Sequence, residues 1–234
     1  MQKLNTKAFI LAAGFGTRLK PYTDNLPKAL VTYKSKPMIE NVISRLSIAG
    51  FKEILINTHH FSEMMEKYFQ NRAGEEKITL IHEPEILGTG GAVKNAESYL
   101  KNSDYVIIYN TDVDSDVPIE LVVRTHIDTK AMATLCVQDR KTSRYLLTDT
   151  DGKLIGRTEG SIDKIYTLTN DKYVHKAFCG IHIINTEIFE FIQPFQYPFD
   201  IIPFYMQLVK IGKLLNTYDI TGIYWKDLGI PQNL

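Results

Sequence analysis

The chain has 234 residues, 44% hydrophobic and 23% charged, with 27 basic against 27 acidic side chains and a formal net charge of zero. This is a globular composition with enough apolar residues for a sizeable core, which excludes disorder as its organising state. Balanced charge gives no field to hold a polyanion, which argues against nucleic-acid binding by phosphate neutralisation, and no apolar run approaches the roughly 18–20 residues of a membrane span.

Short apolar runs alternate with helix-period segments along the first 140 residues, the pattern of βαβ units and a parallel sheet. Ala8 to Ala13 reads as a strand and Gly14 to Pro27 as a loop. Met38 to Ala49 carries Ile39, Val42, Ile43 and Leu46 at helical spacing, with Gly50 as the stop. Ile54 to Asn57 is a second strand, Ser62 is placed to cap a helix through Phe69, and Ile78 to Ile81 is a third strand. Gly90 to Leu100 follows as a helix with Ala92, Val93, Ala96 and Leu100 on one face, then Tyr105 to Tyr109 as a strand. Past residue 140 the strands shorten to Tyr145–Thr148, Lys153–Gly156 and Ala177–Ile184, read as antiparallel additions over the ligand edge. Helices over Thr186–Ile192 and Asp200–Gly212 precede a last strand near Ile223–Lys226, and Pro231 to Leu234 reads as a helix start that stops. Cys136 and Cys179 lie in apolar runs without disulfide or zinc spacing, which implies a reduced, cytoplasmic setting.

Buried parallel strands place ligands at their carboxyl ends, so the segments after Ala13, Ile81 and Tyr109 are the ones to inspect. The first is Leu11-Ala12-Ala13-Gly14-Phe15-Gly16-Thr17-Arg18-Leu19. Its two glycines permit positive φ and close backbone approach, and exposed amides there can cradle phosphate oxygens. Leu19 stands where a dinucleotide fingerprint has its third glycine, and a Gly-Lys-Ser/Thr loop is absent. Arg18, Lys20 and Lys28 would put three cations near an anion bound in this loop. A tight turn with solvated basic residues is the plainer alternative.

The run Leu-Ala-Ala-Gly-x-Gly-Thr-Arg-Leu-x-Pro-x-Thr followed by Pro-Lys-x-Leu, covered by Leu11 to Leu30, resembles the nucleotide-sugar pyrophosphorylase family. The resemblance implies an α/β, Rossmann-like, mostly parallel sheet with helices on both faces and a small antiparallel sugar-binding addition. It implies one domain over residues 1–234, with 1–140 binding nucleotide and 141–234 supplying sugar contacts and a second metal ligand. The expected activity is Mg²⁺-dependent transfer of a nucleotidyl group from a nucleoside triphosphate to a sugar 1-phosphate, releasing pyrophosphate. Leu11, Ala12, Ala13, Gly14, Gly16, Thr17, Arg18 and Lys28 are then nucleotide-binding residues, with Arg18, Lys28 and Asp112 catalytic. Glu83, Gly88 and Thr89 fall where members recognise the base; alone, Gly88-Thr89-Gly90-Gly91 is also a helix start made of small residues. Glu83 beside that run could also accept hydrogen bonds from guanine N1 and N2.

Asn110-Thr111-Asp112 matches the family's first Mg²⁺ position, and Asp227 in Trp225-Lys226-Asp227-Leu228-Gly229 the second. The alternative for Asp112 is a helix N-cap, with Asp114 and Asp116 merely solvated. Two carboxylates, each after an apolar strand, suit a hard ion that fills its sphere with water and phosphate oxygens. Asn110, Glu159 and Gly180 are the sugar-site candidates, although Leu146 stands where many members place a glycine and Thr158-Glu159-Gly160 replaces their Glu-Lys-Pro segment. Gly180 is equally a strand kink. The short chain is similar to the compact branch that includes N-acetylmuramate 1-phosphate uridylyltransferase and heptose or mannose 1-phosphate guanylyltransferases, so UTP is the favoured donor. Rival expectations are a guanylyltransferase, a cytidylyltransferase on a non-sugar phosphate such as phosphocholine, and a non-catalytic nucleotide-sugar sensor. The adjacent His59 and His60, and His82, are read as loop and edge residues without metal spacing.

Overall fold

The computed structural model describes residues 5–167 and 172–234. The chain runs β1 (Thr6–Leu11), the hairpin β2 (Thr32–Tyr33) and β3 (Lys36–Pro37), α1 (Met38–Ile48), β4 (Glu53–Thr58), α2 (Ser62–Gln70) and β5 (Lys77–His82). It continues through α3 (Gly88–Asn95), α4 (Glu97–Leu100), β6 (Tyr105–Asn110), β7 (Val113–Ser115), α5 (Ile119–Thr129) and β8 (Ala133–Gln138). The remainder is β9 (Tyr145–Asp149), β10 (Leu154–Glu159), β11 (Ile162–Ile165), β12 (Tyr173–Asn185), α6 (Phe189–Ile192), α7 (Ile201–Lys210), β13 (Leu215–Asp219) and β14 (Trp225–Asp227).

The main sheet has the order β11-β10-β9-β12-β6-β1-β4-β5, with β8 joined to β12 and β13 to β8. The β6-β1-β4-β5 half is parallel, and β12 joins it antiparallel along β6. Period-2 alternation sends Ala8, Ile10, Ile54, Ile56, Ile107 and Tyr109 into one core while Phe9, Leu55, Val106 and Ile108 enter another on the opposite face. Both faces are therefore covered, which is why these strands read as unbroken apolar runs rather than alternating ones. In α1, Met38, Ile39, Val42, Ile43 and Leu46 are all fully buried, each stabilising by up to about 1.5–3 kcal/mol. Gly50 at φ +89 ends that helix, its N–H bonding the Ser47 carbonyl at 3.0 Å and the Phe51 N–H the Leu46 carbonyl at 2.9 Å.

Several expectations are corrected. Ser62 does not cap α2; it is the first helical residue, and Phe61 precedes it in the left-handed region with no side-chain cap. The single helix expected over Gly90–Leu100 starts at Gly88 and breaks at Ala96 into α3 and α4. Helix α5 and strands β7, β8, β11 and β13 had no counterpart in the reading of the sequence. Strand β12 is one 13-residue element whose register against β8 shifts between Phe178 and His182, with Gly180 at φ +74 inside the shift. That kink lets its first half pair with β9 and its second with β6. Cys136 and Cys179 are free thiols buried in the same core.

Candidate active site

At the carboxyl end of β1 the chain leaves the sheet without regular structure before a single 3-10 turn over Thr17–Leu19. Gly16 sits at φ +65, and a Cβ there would meet Thr23 Cγ2 at 2.9 Å and Lys28 Cβ at 3.0 Å. Its smallness is thus needed to seat the Lys28 stem. Gly14 has open space where a Cβ would point, so a ligand can approach its backbone. Leu19 is buried with Val31, Tyr33, Met38 and Leu228, which anchors the loop to the last segment of the chain.

The two carboxylates predicted to act together are brought together. Antiparallel pairing of β7 with β14 sets Asp227 opposite Val113, and the Leu228 N–H bonds the Asp112 carbonyl at 2.7 Å. Asp112 Oδ2 and Asp227 Oδ1 each lie 2.8 Å from the point a Cβ on Gly229 would occupy, and an Arg18 nitrogen lies 2.7 Å from it. Lys28 ion-pairs with Asp112, and Arg18 Nη1 lies 3.8 Å from Asp227 Oδ2. A side chain at residue 229 would fill the space these groups share, a function of that glycine that the sequence pattern alone did not disclose. Two carboxylates brought together in this way are a donor set that fits a hard divalent ion, which takes few protein ligands. Among the described residues no group of three or more potential ligands forms a metal cluster. Asp114 and Asp116 are not merely solvated: Asp114 is buried and accepts from Lys34 Nζ at 2.8 Å and the Tyr224 hydroxyl at 3.2 Å, and Asp116 pairs with Arg45.

A cleft of about 240 Å³ beside this cluster is lined by Leu11, Ala13, Gly14, Lys28, Glu83, Gly88, Thr89, Asn110 and Asp112, together with Asn57, Thr111 and Asp200. Ala12, Gly16, Thr17 and Arg18 support or flank it without forming its wall. Glu83 departs from the base-reading role considered for it. It is 1% exposed, its Oε1 accepts from Asn57 Nδ2 at 2.8 Å and its Oε2 from the Leu87 N–H at 3.3 Å. Burial raises its pKa against these two bonds. Asn57 in turn accepts the Ala12 N–H at 2.7 Å, so one buried amide ties β1, β4 and the Glu83 turn together. Asn57 was missed, yet it ends an apolar strand as Asn110 does, and the same rule would have found it. Asn57→Leu leaves the Ala12 N–H and a buried carboxylate short of partners and should cost about 2–3 kcal/mol of stability in urea unfolding. A cost below about 0.5 kcal/mol would show that Glu83 finds other partners.

The glycines after Glu83 are explained first by protein contacts. A Cβ on Gly88, at φ +76, would lie 2.5 Å from the Phe199 carbonyl, and Gly90 and Gly91 donate to that carbonyl at 3.0 and 3.1 Å. Thr89 Oγ1 accepts the Ile201 N–H at 2.9 Å at the start of α7. The Gly-Thr-Gly-Gly run therefore admits the 197–201 segment to the rim of the cleft, bringing Asp200 with it.

Asn110, Leu11, Thr89 and Asp200 also line a second, larger cavity of about 520 Å³ beneath β9, β10 and β12. Gly180 abuts Asn110, a Cβ on it falling 2.8 Å from Asn110 Nδ2, so it serves as a kink and keeps space open at this boundary. Glu159 does not line the cavity. It is bound by Lys164, by Arg157 at 2.6 Å and by the Tyr166 hydroxyl at 3.0 Å, which lower its pKa to about 2. Arg140, Arg144, Arg157, Tyr145 and His182 line the cavity instead.

Residues 7–234 match the nucleotidyl transferase family. The chain belongs to that family. A mannose-1-phosphate guanylyltransferase catalytic subunit beta from Drosophila pseudoobscura pseudoobscura is 30% identical over an alignment of 234 positions that covers 97% of this chain and 60% of the relative. A mannose-1-phosphate guanyltransferase from Debaryomyces hansenii is also 30% identical, with 97% and 62% covered. The chain thus spans about 60% of the length of the curated relatives it matches. Among solved structures, a UDP-glucose pyrophosphorylase from Acinetobacter baumanii superposes with a TM-score of 0.81 at 17% identity, covering 98% of this chain and 90% of that one. An inositol-1-phosphate CTP transferase from T. maritima gives 0.80 at 15% identity, covering 100% and 93%. These likenesses establish the nucleotidyltransferase fold. Among the described residues no helix is long and apolar enough to cross a membrane.

Proposed function

We propose that this nucleotidyltransferase-family chain joins a nucleoside triphosphate to a sugar 1-phosphate and releases pyrophosphate. The observation that carries the reading is the convergence of Arg18, Asp112 and Asp227 around Gly229, with Lys28 paired to Asp112, beside a cleft that opens into a larger acceptor-sized cavity. Attack of an already anionic phosphate oxygen on the α-phosphorus needs alignment and charge neutralisation rather than a general base. The Gly14 to Thr17 backbone and Arg18 are placed to hold the triphosphate. Lys28, fixed by Asp112 and by its packing on Gly16, is placed to bridge phosphates, and Asn110 stands where donor and acceptor meet. Asp112 and Asp227 would hold Mg²⁺, which when bound supplies positive charge to the phosphate oxygens.

UTP is the donor favoured by the likeness to the compact branch. The names of the 30%-identical relatives favour GTP as a second reading. Four nucleoside triphosphates assayed against a panel of sugar 1-phosphates by pyrophosphate release decide between them. Turnover confined to GTP overturns the UTP reading, and no turnover with any pair overturns the activity. The favoured triphosphate with Mg²⁺ should also raise the melting temperature, whereas duplex DNA should not.

A further inference from the structure

The acceptor cavity is unusually cationic for a site that need hold only one phosphate. Arg140, Arg144 and Arg157 line it against a single carboxylate, Asp200. Arg157 is balanced by Glu159 at 2.6 Å, but among the described residues neither Arg140 nor Arg144 forms an ion pair. Arg140 is held by stacking over Trp225 at 4.6 Å and by donation from Nη2 to the Phe178 carbonyl at 3.0 Å, while its buried Nε has no acceptor. A guanidinium offers five donors, so most of the Arg140 fork is uncommitted.

The position of these charges decides what they can meet. The acceptor's anomeric phosphate has to reach the cluster around Lys28 and Asp112, and so lies by Asn110 at the end of β6. Strand order from there is β6-β12-β9-β10. Both β6 and β9 pair with β12, Tyr109 facing Ile181 and Tyr145 facing Ala177. The backbone of Arg144, just before β9, therefore lies about two residues, roughly 7 Å, along β12 from the point opposite Asn110, and Arg157, paired with Leu146, lies about four residues along and one strand farther, roughly 14 Å. These distances place them against the far side of a sugar ring whose phosphate is at Asn110. Arg144 is exposed at the mouth of this cleft, beside Leu146, Phe178, Ile201 and Pro203, so it is free to meet a ligand, and an acid there pairs with it by charge-assisted hydrogen bonds about twice as strong as those a hydroxyl offers.

Resting on the nucleotidyltransferase reading, we infer that the acceptor is a sugar 1-phosphate carrying a second acidic group remote from the anomeric phosphate. Arg144 reads that group, and Arg140 supplies charge between it and the anomeric phosphate. Matched acceptors test this: glucose 1-phosphate against glucuronic acid 1-phosphate and glucose 1,6-bisphosphate, and N-acetylglucosamine 1-phosphate against its 3-O-lactyl ether. Each is assayed with UTP and with GTP on the full chain and on Arg144→Met, whose exposed side chain can change without disturbing the core. The expected result is at least a tenfold higher kcat/KM for the acidic member of one pair, collapsing to within threefold in Arg144→Met. The arm that wins separates a carboxylate from a second phosphate. A neutral member that matches or exceeds its acidic partners throughout, or a preference that survives Arg144→Met, overturns the inference. If no acceptor turns over, the nucleotidyltransferase reading fails, and melting shifts still decide the cavity. A larger shift with glucuronic acid 1-phosphate than with glucose 1-phosphate, lost in Arg144→Met, supports the acidic subsite, and equal shifts overturn it.

Discussion

Asp112→Asn and Asp227→Asn are each expected to lower turnover at least a thousandfold, about 4 kcal/mol of barrier, while the chain stays folded. Asparagine keeps the shape of each side chain, so the Leu228-to-Asp112 backbone bond and the β7-β14 pairing that position them have no reason to break. What is lost is charge at the point both carboxylates face above Gly229, together with the anion that fixes Lys28. Because the pair acts on one site, the double variant should be little worse than either single one. Pyrophosphate release at saturating Mg²⁺, measured beside a melting curve for each variant, provides the check. Activity within tenfold of the parent in either variant would remove that residue from the reacting centre.

Acidification should weaken the fold well before its carboxylates titrate. His126 and His182 are each 1% exposed, and burial lowers their pKa from 6.5 to about 4 and about 3. Once unfolded, both imidazoles take protons that the folded chain refuses. The stability that depends on keeping them neutral is complete above pH 6.5 and is lost as pH falls from 6.5 towards those values. By pH 5 each costs about 2 kcal/mol, so unfolding free energy should drop by about 4 kcal/mol between pH 7.5 and pH 5. His182 lies among Phe178 and Tyr205, so His182→Phe suits its surroundings and should remove about half of that slope in denaturant titrations at the two pH values. An unchanged slope would show that the ring is not the group responsible.

The parallel half of the sheet, and the placing of Asn57, Asn110 and Asp112 at its carboxyl edge, are legible because apolar runs ending in polar residues have a single physical reading in a doubly covered sheet. Strands β8 and β13 were not, since Ala133–Gln138 is buried at every position and Leu215–Asp219 is short, and neither carries a period that local reading can use. The glycines after Glu83 were read as a ligand surface when their immediate neighbour is Phe199, a contact more than a hundred positions away along the chain that no local pattern encodes. The resemblance places Glu159 at the sugar site by its segment alone, and the fold shares its carboxylate between Arg157, Lys164 and Tyr166. Arg140 and Arg144 precede β9 and Arg157 lies on β10, and only the pairing of β9 and of β6 with β12 brings them beside the cleft, a relation that no local pattern encodes.

The pairing of β7 with β14 also joins two distant parts of the chain. Asp112 and Asp227 stand 115 positions apart in the sequence, and Leu228 beside the second of them closes the small core that holds Leu19 and the glycine loop. Strands β1, β4, β5 and β6 pair with one another without any contribution from residues 225–229. A chain cut just before Trp225 would therefore keep the pairings of β1, β4, β5 and β6 while losing Asp227 and the partner of β7.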